Sequence, residues 1–212
     1  DALPIYRSRL IPFDPSAGLR LPKNSKRSHR SITEEERAHI LEVAAYHPSG
    51  LWVLLILYSG LRPGEAAALQ WKDIDFDRNE IHVYKAIESG TNHIKTPKTA
   101  AGIRDIPMRK DLRQLLWQAR GDPFSLLFPT KKGTVRSSTS VWRLWNSFAK
   151  ELDLHMGAEA QDGKIIHHAI APDLTLYCLR HTFCTDLQRG GVAINIAKEL
   201  MGHSSIAVTA DI

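Results

Sequence analysis

A chain of 212 residues is about one and a half typical domain lengths, which favours one large domain, or one domain with part of another. Hydrophobic residues at 43%, charged residues at 24%, 13 glycines and 11 prolines are ordinary globular usage and exclude a disordered or fibrous chain. The formal net charge of +5 is uneven, with seven Lys/Arg against two Asp in residues 1–31 and twenty-one of each sign in residues 32–212.

The longest apolar run, Leu51–Tyr58, is far short of the roughly 20 residues that cross a bilayer, and no charged-then-apolar leader opens the chain, so neither a membrane span nor a secretory precursor is expected. Two cysteines, Cys178 and Cys184, are too few for a disulfide scaffold and fit a reducing interior, so the expected location is cytoplasmic.

Residues 1–31 mix Pro4, Pro12, Pro15 and Pro22 with Lys23, Lys26, Arg27 and Arg30, the composition of an extended basic linker. It is expected to trail from an absent upstream domain. A solvated tail is its simplest role, and a strap along a polyanion its sharper one. Thr33 followed by Glu34, Glu35 and Glu36 is a capping box, and Ala38, Leu41 and Ala45 repeat at helical spacing, which predicts a helix over 33–46. Leu51–Tyr58 is apolar all round and stops at Gly60, which predicts a buried central helix. Pro63 suits the first position of a short helix reaching about Leu69, placing Arg62 at its mouth.

From Trp71 the period becomes two. Ile74 and Phe76, a turn at 77–79, and Ile81 and Val83 predict a hairpin. A second turn near 89–93 and a strand near 103–106, closed by Pro107, complete a small antiparallel sheet, with Lys95 and Lys98 on the loop entering its third strand. Helical spacing returns at Leu112, Leu115 and Leu116. A helix over 137–152 is expected to show Val141, Trp142, Trp145 and Phe148 on its apolar face, and 153–173 reads as loop. Two last helices, about 175–189 and 194–201, flank Gly190-Gly191. The expected fold is α+β and mainly helical, with a three-stranded antiparallel sheet on one side.

Some residues do not suit a core. Leu176, Phe183, Cys184 and Leu187 mark one helix face, and Arg180 falls on it, so Arg180 needs a carboxylate or a bound anion. Arg62 is a cation at a helix N-terminus, the wrong sign for the dipole. A phosphate there would reverse the penalty, whereas a surface pair with Glu65 is the plain alternative. Basic blocks at Lys95, Lys98, Arg104, Arg109 and Lys110, and at Lys131, Lys132, Arg136, Arg143 and Lys150, suit a phosphate track, though surface helices carry such blocks without a ligand. His167-His168 invites a metal, but without HExxH, paired CxxC or a compact carboxylate cluster no metal site is expected. The phosphate-loop, dinucleotide and serine-elbow motifs are also missing.

Taken in order, Tyr58-Ser59-Gly60-Leu61-Arg62-Pro63-Gly64-Glu65, Pro97-Lys98-Thr99 with Arg104–Pro107 behind it, Leu179-Arg180-His181-Thr182-Phe183, and Leu200-Met201-Gly202-His203-Ser204-Ser205 resemble the tyrosine recombinase (phage integrase) family. The resemblance covers residues 32–212 as a catalytic domain and looks most like integrases of bacterial phages and conjugative transposons, mobile elements of a bacterial, nucleoid-associated setting. It implies site-specific DNA recombination through a 3′-phosphotyrosyl intermediate, with no cofactor and no metal. By position it implies that Arg62 and Arg180 clamp the reacting phosphate, Lys98 protonates the leaving 5′-oxygen with Lys95 the competing assignment, His203 donates a hydrogen bond, and Glu65 supports Arg62. Lys95, Arg104, Lys131, Lys132 and Arg136 are expected along the DNA.

Two departures stand out. Tyr177 occupies the family's histidine position three residues before Arg180, and a phenol donates a hydrogen bond but cannot act as an imidazole base. The family's attacking tyrosine is expected directly after Ile212, so the chain as given is expected to bind DNA without cleaving it. The implied partner is double-stranded DNA at attachment or core sites, with a tetramer assembling there in the full-length protein and no membrane. The competing readings are a type IB topoisomerase-like enzyme and a non-catalytic DNA-binding module that uses the two helices flanking Gly190-Gly191 as a helix-turn-helix.

Overall fold

The computed structural model describes residues 30–88, 91, 93–97, 100–206 and 209. Arg30 and Ser31, read as linker, are packed: Arg30 pairs with Glu36 at 2.6 Å and Asp173 at 2.9 Å, Ser31 Oγ meets Thr185 Oγ1 at 2.6 Å, and Ile32 is buried. The rest of the linker reading, residues 1–29, lies outside the described residues.

Helix α1 (Glu34–Ala44) starts at the capping box, with Glu36 N–H donating to Thr33 Oγ1 and Thr33 N–H to Glu36 Oε2. Helix α2 (Gly50–Ser59) runs through the centre and buries all its residues except the half-buried Leu51. Such a helix owes its place to its all-round apolar surface rather than to one stripe. It ends at Gly60, whose φ of 61° is left-handed, and a Cβ there would lie 2.3 Å from the Phe183 ring. Backbone conformation and close packing both require glycine at this point. Helix α3 (Pro63–Ala68) follows with Pro63 in its first turn.

Strands β1 (Ile74–Asp75), β2 (Glu80–Val83) and β5 (Arg104–Pro107) form the antiparallel sheet in the order β1-β2-β5, with Ile74 opposite Ile81, Ile81 opposite Ile106 and Val83 opposite Arg104. Between β2 and β5 lies a separate two-stranded ribbon, β3 (Ala86–Ile87) and β4 (Ile94–Lys95), which the period-two reading did not anticipate because each strand has only two residues.

Helices α4 (Lys110–Gln118) and α5 (Ser138–His155) follow, the latter capped by Ser137 accepting from Ser140 N–H. Val141, Trp145, Phe148 and Leu152 of α5 are buried, but Trp142 is 44% exposed. It sits one residue, about 100° of helix, off that stripe. Residues 153–173 are not all loop, since β6 (Glu159–Gln161) and β7 (Lys164–His167) form a hairpin across Asp162-Gly163. Asp-Gly is a strong hairpin signal; the strands were obscured because they are mostly exposed and lack an apolar alternation. Helix α6 (Leu176–Arg189) packs along α2, and α7 (Ile194–Met201) ends at Gly202, with φ 62°. Among the described residues, no helix is long and apolar enough to cross a membrane.

Candidate active site

The C-terminal carbonyls of any helix lack intrahelical partners and need donors from elsewhere. At the end of α7 three arginines supply them. Arg104 Nε donates to Leu200 O at 2.7 Å, a terminal nitrogen of Arg180 donates to Met201 O, and Arg62 donates to Gly202 O at 2.8 Å. Three consecutive carbonyls thus collect guanidinium groups from β5, α6 and the mouth of α3, at the end of a helix whose dipole favours positive charge. The next residue along the chain is His203.

One carboxylate sits among these cations. Glu65 is buried, accepts Arg104 through both oxygens at 3.2 and 2.8 Å, and accepts the Arg62 side chain and backbone N–H at 2.8 Å each. Burial pushes its pKa up, but the hydrogen bonds and charge of Arg104, with Arg62 and Arg180 beyond, outweigh it and pull it down to about 2. Glu65 thus supplies negative charge beside Arg62 at the α3 mouth and holds its guanidinium in place. The Arg62–Glu65 pair exists, but as part of a buried network and not as an isolated surface pair.

Arg180 is 5% exposed. Its second partner is the carbonyl of Gly60 at the end of α2, so of the two partners expected, a carboxylate or a bound anion, the first is not what it bonds, and two carbonyls hold the buried guanidinium. Burial, and then the positive charge of Arg62, push its pKa down to about 9, which leaves it charged at neutral pH. His203 is buried too, with Nδ1 3.0 Å from the hydroxyl of the fully buried Thr209. Burial and then the charges of Arg180, Arg62 and Arg104 push His203 down to about 4, so the imidazole is neutral at pH 7 and the ring nitrogen not facing Thr209 remains to meet a ligand. Arg62 keeps 40% of its side chain exposed.

Arg62, Glu65, Arg180 and His203 are therefore brought together. Tyr177 borders Arg62 and Glu65 on the wall of a cavity of about 330 Å³ and is 39% exposed. Lys98 lies outside the described residues, and Lys95, in β4, is tied to Glu88. Lys131 and Lys132 are exposed on a turn closed between Thr130 and Thr134.

Two basic residues read as DNA contacts are committed within the protein. Arg104 has 2% of its side chain exposed, and the sequence carried a signal for it. In β5 the burial alternates, Arg104 and Ile106 inward, Asp105 and Pro107 outward, so its strand position points it into the interior. Gly202 is built around it, because a Cβ there would lie 2.8 Å from an Arg104 nitrogen. Arg136 donates to Phe128 O, Pro129 O and Ser140 Oγ at 3.0, 2.8 and 3.1 Å, bracing the chain ahead of α5. Thr209 had no sequence signal beyond lying six residues after His203.

Metal-type donors come within reach of one another at His39, Glu42 and His155 and at Glu80, His82 and Asp105; neither set includes a member of the arginine cluster. His168 of the His167-His168 pair is bonded to Asp153 at 2.5 Å, and His167 to Glu159 at 3.0 Å.

The fold and the cluster define a helical domain in which arginines from three separate elements converge beside one carboxylate at the end of α7. Residues 30–212 match the Phage integrase family, and the chain belongs to that family. It is 28% identical over 193 residues to a tyrosine recombinase XerC-like protein of Caldanaerobacter subterraneus subsp. tengcongensis, covering 86% of this chain and 49% of that protein. It is 25% identical over 196 residues to the transposase from transposon Tn916 of Enterococcus faecalis, covering 84% and 46%. The chain thus spans about half the length of these relatives. Its fold is that of the Tn1549 transposon integrase solved with circular intermediate DNA, at TM-score 0.72 and 23% identity, covering 94% of this chain and 66% of that one. It also follows a lambda integrase dimer bound to a core site, at TM-score 0.64 and 19% identity, covering 98% and 67%.

Proposed function

We propose that this chain is the catalytic domain of a site-specific DNA recombinase that breaks and rejoins strands through a 3′-phosphotyrosyl bond. The observation that carries this reading is the meeting of Arg62, Arg104, Arg180 and His203 around one carboxylate at the end of α7. With three cations against Glu65, the site retains net positive charge for a phosphodiester. Family membership and the names of the relatives support the same chemistry.

In this reading Arg62 and Arg180 hold the nonbridging oxygens of the phosphate, and preorganised donors of this kind stabilise the added charge of the pentacoordinate transition state. His203, its ring held through Nδ1 by Thr209, donates a hydrogen bond to the same group. Tyr177 donates another where the family carries histidine. A tyrosine hydroxyl, supplied from beyond Ile212 in the family pattern, attacks phosphorus and releases its phenolic proton to solvent, the P–O bond to the 5′-oxygen breaks, and Lys98 delivers a proton to the departing oxygen. The 5′-hydroxyl of a partner strand reverses the step. The phosphotyrosyl link conserves the bond energy, so the cycle calls for no nucleotide cofactor. Double-stranded attachment or core sites are the substrate, and a tetramer on two duplexes is the assembly.

Nicked attachment-site DNA incubated with the full-length protein tests the proposal. A covalent protein–DNA adduct is expected, and Lys98→Ala should abolish it on ordinary DNA but restore it on DNA with a 5′-bridging sulfur, a leaving group that needs no proton. Reversible retardation with no adduct under any condition would reduce the protein to a binding module.

A further inference from the structure

Trp142 belongs to α5 but does not join its apolar stripe. It stands 44% exposed although Val141, Trp145 and Phe148 beside it are buried. It lines the cavity of about 330 Å³ whose walls also include Arg62, Ser138, Tyr177 and, from β3, Ala86 and Ile87. That volume is at the lower end of the range for small-molecule pockets, about 300–1,000 Å³, with room for a single sugar–phosphate unit. Its lining is mixed in the way a nucleotide requires: an indole, a phenol and an isoleucine offer apolar faces, and Arg62 and Ser138 offer polar ones.

Arg62 belongs to both the cavity and the arginine cluster, reaching Gly202 O and Glu65 while 40% of its side chain is open to solvent. A chain of phosphates whose reacting member rests on Arg62 must therefore pass its neighbouring nucleoside by the mouth of the cavity. We propose that Trp142 is the platform for that nucleoside, the one adjoining the reacting phosphate, and that packing against the indole sets how the scissile linkage lies over Arg62. This rests on the recombinase reading and adds to it a binding position outside the phosphate clamp. An aromatic face suits the role because in a duplex it packs against the edge of any sugar, and so anchors the strand without reading its sequence.

The test uses the full-length protein and attachment-site duplex. A 5-bromouracil beside the reacting phosphate should photocross-link to Trp142 of the unaltered protein, located by mass spectrometry. Trp142→Ala should weaken binding to a single site about tenfold, the scale of a lost aromatic platform, and Trp142→Phe should keep most of the affinity, with Tm measured for both. Cross-links that avoid Trp142, together with unchanged single-site affinity in Trp142→Ala, would overturn the proposal, and so would a loss confined to assembly of several subunits on DNA. In each of those cases a persisting covalent adduct would leave the recombinase reading intact, whereas absence of an adduct from the parent protein would remove the reading itself.

Discussion

The interior of this domain has two unlike regions. Around α2, the buried Trp52, Val53, Leu55 and Ile56 meet Ile40, Phe148 and Leu179 from α1, α5 and α6, and any well-shaped apolar residue does similar work. At the seam of α3, β5 and the end of α7, Glu65, Arg104 and Arg180 are buried too. There each atom has a particular partner, and removing one leaves another charge or carbonyl stranded. The first region tolerates exchange at the cost of stability alone. The second couples stability to the phosphate site, because the groups that hold it together are the groups that would hold the ligand.

Arg180→Ala should break this comparison most visibly. Adduct formation by the full-length protein is expected to fall by at least about 10²–10³-fold, the scale for losing a preorganised oxyanion donor, while retention of DNA on a filter falls far less. Equal cleavage by mutant and parent would remove Arg180 from the site.

Glu65→Gln and Leu55→Ala form the matched pair that sharpens it. Each should destabilise by about 3 kcal/mol or more in urea, the first by leaving Arg62 and Arg104 without their carboxylate, the second by a core cavity. Only Glu65→Gln should also slow adduct formation per folded molecule. Because the folded pKa of Glu65 is depressed to about 2, its stabilising contribution is complete above the ordinary glutamate pKa and is lost as pH falls from there towards 2. The parent should show that acid loss of stability, and Glu65→Gln should lack this part of it.

The smallest effect is expected at Lys131 and Lys132, exposed on their turn. Alanine at both should leave Tm unchanged and lower the salt dependence of DNA binding by about two counterions. An unaltered salt slope would take that turn off the DNA path.

The long helices were legible because a 3.6-residue apolar period or an all-apolar run is a property of neighbouring residues, and Arg180 was conspicuous because it breaks such a stripe. Trp142 was misread because it lies next to Val141, and a single position of rotation separates the buried face from the open one. Arg104 was expected along the DNA, although its alternation with Ile106 in β5 pointed inward. Lys98 keeps its place through resemblance alone, since it lies outside the described residues.

By itself, the amino-acid order determined where helices start and stop, which strand residues alternate, and which arginines are out of place for a core. Only the tertiary structure decided what each guanidinium holds. Arg62 meets Gly202 across 140 positions and Arg104 meets Leu200 across 96, and no local period carries information over such separations. The partners are chosen when the end of α7 docks between α3 and β5, where three open carbonyls and one carboxylate must be satisfied together.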